Sequence, residues 1–216
     1  MNDQHLMQSI FFVWHDVIAT AVKGTLVPAE LLAGLVANES GGNTHAQRFE
    51  PAVFTEIAEV LAGKRTVFKP TGISRPLMLA DLLPFVLAAD SSRLQLAAGG
   101  AAFFAFDKCF TDQMQRVAEL ATSYGLVQIM GWHWIEFNRP ASMRPEDQLA
   151  FAVVLLVYFA NKYTLDLAAD AAKLFSCWNT GEPGGHTYNP LYVPNGLARM
   201  ELYRSLAGAA GTPSAT

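Results

Sequence analysis

Three short, separated segments carry polar side chains that a packed core does not need. Glu39 opens Glu39-Ser40-Gly41-Gly42-Asn43. Gln128 stands among apolar neighbours in Ser123-Tyr124-Gly125-Leu126-Val127-Gln128-Ile129-Met130-Gly131, and Asn179 ends an apolar run in Cys177-Trp178-Asn179-Thr180-Gly181. Of these only Glu39 can exchange a proton near neutral pH. Leu31, Leu32, Leu35 and Val36 recur at the spacing that buries one stripe of a helix, and Ser40 to Asn43 supply the breakers that stop it. The carboxyl is therefore expected where a core helix runs out. Aliphatic neighbours strip solvation from its charged form and raise its pKa, and a glutamic acid that holds its proton can donate it to a leaving group. The plainer alternative is a solvated carboxylate in a last helical turn.

The elements that must position these groups follow from composition and punctuation. With 216 residues, 51% of them hydrophobic and 16% charged, the chain is long and apolar enough to bury a sizeable core. A net charge of -4 gives no electrostatic reason to bind nucleic acid or anionic lipid, and a neutral or zwitterionic polymer suits the chain better. The longest apolar run, Leu149 to Ala160, is twelve residues and falls short of the roughly 18 needed to cross a bilayer. It is expected to be a buried central helix, with no stable membrane insertion. The first residues carry no Lys or Arg before Lys23 and no signal peptide is visible. Synthesis in the cytoplasm is the expectation, and with it two reduced, buried thiols at Cys109 and Cys177.

Helices are expected over residues 4–22, 28–39, 51–61, 76–89, 94–106, 111–120, 146–161, 166–177 and 191–206, the one at 94–106 weakened by Gly99-Gly100. Between them come an extended arm from Thr44 to Pro51, a short strand pair or loop around Lys64 to Lys69, and a glycine-rich loop after Trp178. The chain is read as one domain over residues 1–208, with 63–110 an insertion or groove wall and 209–216 a flexible tail. A mainly α architecture with about eight helices results.

Together the three segments resemble the motifs of the lysozyme-like lytic transglycosylases, the family that includes soluble lytic transglycosylases and goose-type lysozymes. There a helix ends in the catalytic Glu of an E-S-x-x-N motif, a G-L-M-Q-I-M motif follows, and an A-Y-N-A-G motif comes later. Here ESGGN, GLVQIMG and CWNTG stand in the same order, over roughly Leu31 to Tyr203. Val127 replaces the motif Met, Tyr124 stands where many members have Ser, and Trp178 and Thr180 replace Tyr and Ala. The stretch between the first two motifs is longer than usual. RFEPAVF after ESGGN looks more like phage-type muralytic domains than the large periplasmic enzymes.

The resemblance implies a lysozyme-like fold with a substrate groove and cleavage of the β-1,4 bond between N-acetylmuramic acid and N-acetylglucosamine. No cofactor or metal is implied. Glu39 matches the general acid/base. Ser40, Gly125, Leu126, Gln128 and Asn179 match residues that orient the acid or line the sugar sites. The implied partner is the peptidoglycan glycan strand, met by a monomer acting on the bacterial wall as a phage endolysin released through a holin, or as a virion component.

Glu50 is the candidate second carboxylate. It is read first as a helix-start residue paired with Arg48, and second as a group that holds water for a hydrolytic muramidase. A non-catalytic glycan-binding or structural module is the rival from another class. Aromatic residues gather near the later motifs, at Phe49, Tyr124, Trp132, Trp134, Trp178, Tyr188 and Tyr192. Tyr124 and Tyr188, beside polar residues and glycine, are expected to face sugar, whereas Trp134 and Trp178 suit the core equally well. No His, Asp or Glu spacing suggests zinc.

Overall fold

The Asn2 side chain accepts a hydrogen bond from the Gln4 amide at 2.8 Å, and this cap starts α1 (Asp3–Val22). Gly24, with φ +74°, turns the chain, and Pro28 caps α2 (Ala29–Glu39). A computed structural model of the protein describes residues 2–87, 108–139, 142 and 144–211. In it every residue of α2 from Leu31 to Ala37 is buried, so the helix expected to carry one apolar stripe is enclosed on all sides. The reason lies in two glycines. A Cβ on Gly34 would lie 2.9 Å from the Phe175 ring and 3.2 Å from the Gly196 carbonyl, so the missing side chains let α2, α8 and α9 pack at close range.

After α2 the arm forms β1 (Gln47–Phe49), and Pro51 at the first turn opens α3 (Pro51–Leu61). The region around Lys64 to Lys69 contributes β2 (Val67–Phe68), which pairs antiparallel with β3 (Leu77–Met78), and α4 (Leu79–Val86) follows. The helix expected over 94–106 lies outside the described residues, as does the end of the one expected to reach Ala89. Next come α5 (Lys108–Leu120), β4 (Thr122–Tyr124), β5 (Ile129–Met130) and α6 (Gly131–Glu136). Strands β1, β4 and β5 form a three-stranded antiparallel sheet in that order, with Arg48 opposite Ser123 and Tyr124 opposite Ile129. The remaining helices are α7 (Pro145–Tyr163), α8 (Ala171–Thr180) and α9 (Tyr192–Gly211).

The protein is mainly helical. Helix α7 buries Leu149, Phe151, Ala152, Val153, Leu155, Leu156, Phe159 and Ala160, as its apolar run predicts. Several helix boundaries differ from the sequence expectation. Helix α8 starts at Ala171 rather than Asp166, because the Asp166 carboxylate accepts from the amides of Ala168 and Ala169 and holds those residues in a turn. It also continues through Trp178 and Asn179 to Thr180, stopping at Gly181 with φ +83°. Helix α9 runs on to Gly211, so residues 209–211, expected in a loose tail, are helical. Cys177 is buried and unbridged, its thiol pushed up to about 11 by burial, and the Cys109 side chain lies outside the described residues. Among the described residues no helix is long and apolar enough to cross a membrane.

The block from residue 63 to 87 is tied to the rest of the fold at its tip. The Ser74 amide donates to the Glu136 carboxylate, and Lys162 Nζ donates to the Ile73 carbonyl at 3.3 Å. A Cβ on Gly72 would lie 2.6 Å from the Gly181 Cα, so the turn at Gly72 lies against the C-terminal end of α8. The block is thus fastened beside the end of the Asn179 motif.

Candidate active site

Glu39 is the last residue of α2 and is partly buried. Burial removes water from its charged form and raises the carboxyl from the ordinary 4.5 to about 7, although a hydrogen bond from Tyr192 and the positive charge of Arg48 both favour ionisation. The Tyr192 hydroxyl donates directly to Glu39 Oε1. That phenol is buried, and its own pKa lies well above the ordinary value because burial and the neighbouring carboxylate both disfavour a phenolate. It keeps its proton and remains a donor.

A network at the start of α9 fixes the Tyr192 position. Asn38 Nδ2 donates to the Tyr192 carbonyl at 2.8 Å, Arg199 Nη1 donates to Asn38 Oδ1 at 2.7 Å, and Arg199 also pairs with Asp3 at 2.7 Å. The ends of α1, α2 and α9 are thus joined behind the acid. On its other side, Gly41 and Gly42 take φ values of +62° and +88°, which a glycine adopts without the steric cost of a Cβ. They allow the chain to leave α2 over Ile10 and Trp14.

The three motifs meet at two consecutive carbonyls. Ser40 Oγ donates to the Leu126 carbonyl at 2.8 Å, and Trp178 Nε1 donates to the Val127 carbonyl at 3.2 Å. The β4–β5 turn is therefore gripped from the acid's motif on one side and from the asparagine's motif on the other. The turn is held inward as well. Gln148, buried on α7, accepts from the Leu126 amide at 2.8 Å, and a Cβ on Gly125 (φ +73°) would lie 2.0 Å from that same Gln148 oxygen. No side chain other than hydrogen fits at position 125.

Gln128 takes φ +51°, uncommon for a residue other than glycine. Its amide nitrogen donates to the carbonyls of Ala46 and Gly125, both at 3.0 Å, and its oxygen accepts from Ser123 Oγ at 2.8 Å. The side chain expected to line a sugar site instead stitches the hairpin to β1, with both amide hydrogens engaged. Leu126 is fully buried and lends its backbone to the site. Asn179 is exposed on the last turn of α8, beside Trp178.

One expectation about the tyrosines is corrected. Tyr124, expected to face sugar, is 5% exposed and its hydroxyl donates to the Glu119 carbonyl at 3.2 Å, because strand pairing turns the ring into the interior. The tyrosine on the acid is Tyr192, which the sequence placed among the aromatics without distinguishing it. Tyr188 is fully exposed on the loop that leads to Tyr192. Its ring is free to meet a ligand.

Glu50 caps the start of α3, and its Oε1 lies 2.6 Å from Arg48 Nε, the ion pair read first from the sequence. Among the described residues no group of three or more His, Cys, Asp or Glu is placed to hold a metal ion. No family model, curated protein or solved structure matches the chain. The site offers an acid with a pKa near neutrality and a fixed phenol on one of its oxygens. Such a group can protonate a leaving oxygen and then recover a proton.

Proposed function

We propose that the protein is a peptidoglycan-cleaving glycosidase of lysozyme-like fold, acting as a lytic transglycosylase with Glu39 as its general acid and base. The observation that carries this is the Glu39 carboxyl held at about 7 under the Tyr192 hydroxyl, at the point where the three motif segments are hydrogen-bonded together. Glu39 transfers its proton to the β-1,4 glycosidic oxygen as the bond to the muramic acid C1 breaks, and the substrate's own 2-acetamido oxygen closes on C1. Ionised Glu39 then removes the proton from the muramic acid 6-hydroxyl as that oxygen displaces the acetamido group, giving a 1,6-anhydro ring and regenerating the acid. This sequence needs one carboxylate rather than the two of ordinary retaining or inverting enzymes.

Engagement of Glu50 by Arg48 favours this outcome over a hydrolytic one, in which Glu50 would have to hold water. The wall is the target in this proposal and lysis of a bacterial cell the consequence, as an endolysin or a virion-associated lysin. Mass spectrometry of digests of purified cell wall tests it. Anhydro-muropeptides are expected from the wild type and none from Glu39→Gln. Reducing ends alone would assign a muramidase, and an inert wild type that still binds glycan would make the protein a binding module.

A further inference from the structure

Arg48 carries a charge that bears on the acid, and its one ion pair among the described residues leaves most of its donors unused. It lies on β1, the edge strand of the three-stranded sheet, where Gln47, Arg48 and Phe49 are all exposed. The backbone beneath it is held firmly. Arg48 is in register with Ser123, whose hydroxyl donates to the Arg48 carbonyl at 3.4 Å, and the preceding Ala46 carbonyl accepts from both the Gly125 amide and Gln128 Nε2. The side chain is two-thirds exposed, at 66%, and its strand is bonded through Ala46 to the Gly125–Leu126 turn, which Ser40, the neighbour of Glu39, grips at the Leu126 carbonyl. The Arg48 charge favours ionisation of both Glu39 and Tyr192. Its one ion pair among the described residues is the contact of Nε with Glu50.

An exposed pair of this kind contributes little to stability. A guanidinium also carries five N–H donors in a planar fork, so a contact through Nε leaves its two terminal nitrogens with donors to spare. That fork is suited to a carboxylate. A neutral homopolymer of N-acetylglucosamine offers none. The glycan of a bacterial wall does, either on the lactyl ether of muramic acid or on the acidic residue of the stem peptide attached to it.

We propose that Arg48 is the specificity residue of this site, recognising a carboxylate borne by the glycan strand next to the bond that Glu39 cleaves. The inference rests on the glycosidase function proposed above and names the substrate class within it. Glu50 is then the partner that holds the fork in place through Nε while the terminal nitrogens take the substrate carboxylate.

The test compares wild type, Arg48→Ala and Arg48→Lys on purified glycan strands at pH 5.5, where Glu39 is protonated whether or not Arg48 is present. Strands are used with their stem peptides, after enzymatic removal of the peptides to free the lactyl carboxylate, and after conversion of the carboxyls of each to neutral methylamides. For the wild type kcat/KM on native strands is expected to exceed that on neutralised strands roughly tenfold, the scale of one charge-assisted contact. The ratio should collapse towards one in Arg48→Ala and be intermediate in Arg48→Lys, which keeps the charge and loses the fork. Whichever strand form shows the larger ratio identifies the carboxylate that is read. A wild type indifferent to neutralisation, or an Arg48→Ala variant that keeps the wild-type ratio while losing rate equally on all strands, overturns the proposal. Failure of the wild type to cleave any strand removes the glycosidase function itself, a distinct result.

Discussion

Glu39 and Glu136 are both shielded from water, and they are pushed in opposite directions. Glu39, at the end of α2, is raised to about 7. Glu136, at the end of α6 and 5% exposed, is held below the ordinary carboxylate value although burial alone would raise it. The difference is the supply of donors. Glu136 receives the Ser74 amide on one oxygen and lies 2.6 Å from His133 Nδ1 through the other, so its charge is satisfied and its role is to clamp the 63–87 block onto α6. Glu39 receives one neutral hydroxyl, with the Arg48 charge farther out. Burial alone does not make a proton donor. Burial with too few donors does.

The largest expected effect separates the two directly. Glu39→Gln should lower cleavage of cell wall by about a thousandfold or more while the protein stays folded, the scale of a lost general acid. Glu136→Gln should lower thermal stability, by about 3 kcal/mol, and leave the folded fraction able to cleave; parallel melting curves and turbidity assays measure both.

A second prediction uses the opposite signs of the two shifts. The raised Glu39 contributes stability that is fully present below the ordinary 4.5 and is lost as pH climbs through about 7. Glutamine cannot ionise, so Glu39→Gln should gain stability over the wild type between pH 4 and pH 8, by on the order of 2–3 kcal/mol. The depressed Glu136 behaves inversely, its stabilisation being present above 4.5 and lost as pH falls. The Glu136→Gln deficit should therefore shrink in acid. Chemical denaturation across that range reads both trends.

The smaller effects come from removing one donor from each carboxylate. His133→Phe should destabilise by about 1–3 kcal/mol and move the Glu136 titration upward. Tyr192→Phe should reduce cleavage roughly tenfold, the scale of one hydrogen bond to a charged group, and should move the alkaline limb of the pH–rate profile upward, because the phenol lowers the Glu39 pKa. If Tyr192→Phe left the profile in place, the phenol would not be acting on the acid.

Much of the acid's setting was legible in the sequence, because local signals determine it. Pro28 and Gly41-Gly42 bracket α2, Pro51 starts α3, and the apolar run after Gln148 marks α7. The convergence of the three motifs was legible only through their resemblance to a family pattern. What escaped were contacts between distant residues. Tyr192 reaches Glu39 through the packing of α9 on α2, which no periodicity encodes. Tyr124 was misplaced because its polar and glycine neighbours suggest exposure, while register with Ile129 and the Glu119 carbonyl draw its ring inward. Gln128 follows the same logic in reverse. Its motif suggests a ligand contact, and the αL backbone turns its amide onto Ala46 and Gly125. Glu136 and His133 lie three residues apart on a six-residue helix, too short for an amphipathic pattern to show.

The most direct measurement is a site-resolved titration of the two side-chain carboxyls by carbon NMR, assigned with Glu39→Gln and Glu136→Gln. A midpoint near 7 for Glu39, coinciding with the alkaline limb of wall cleavage, and one below 4.5 for Glu136 are expected. A Glu39 midpoint at the ordinary 4.5 would contradict its role as the proton donor.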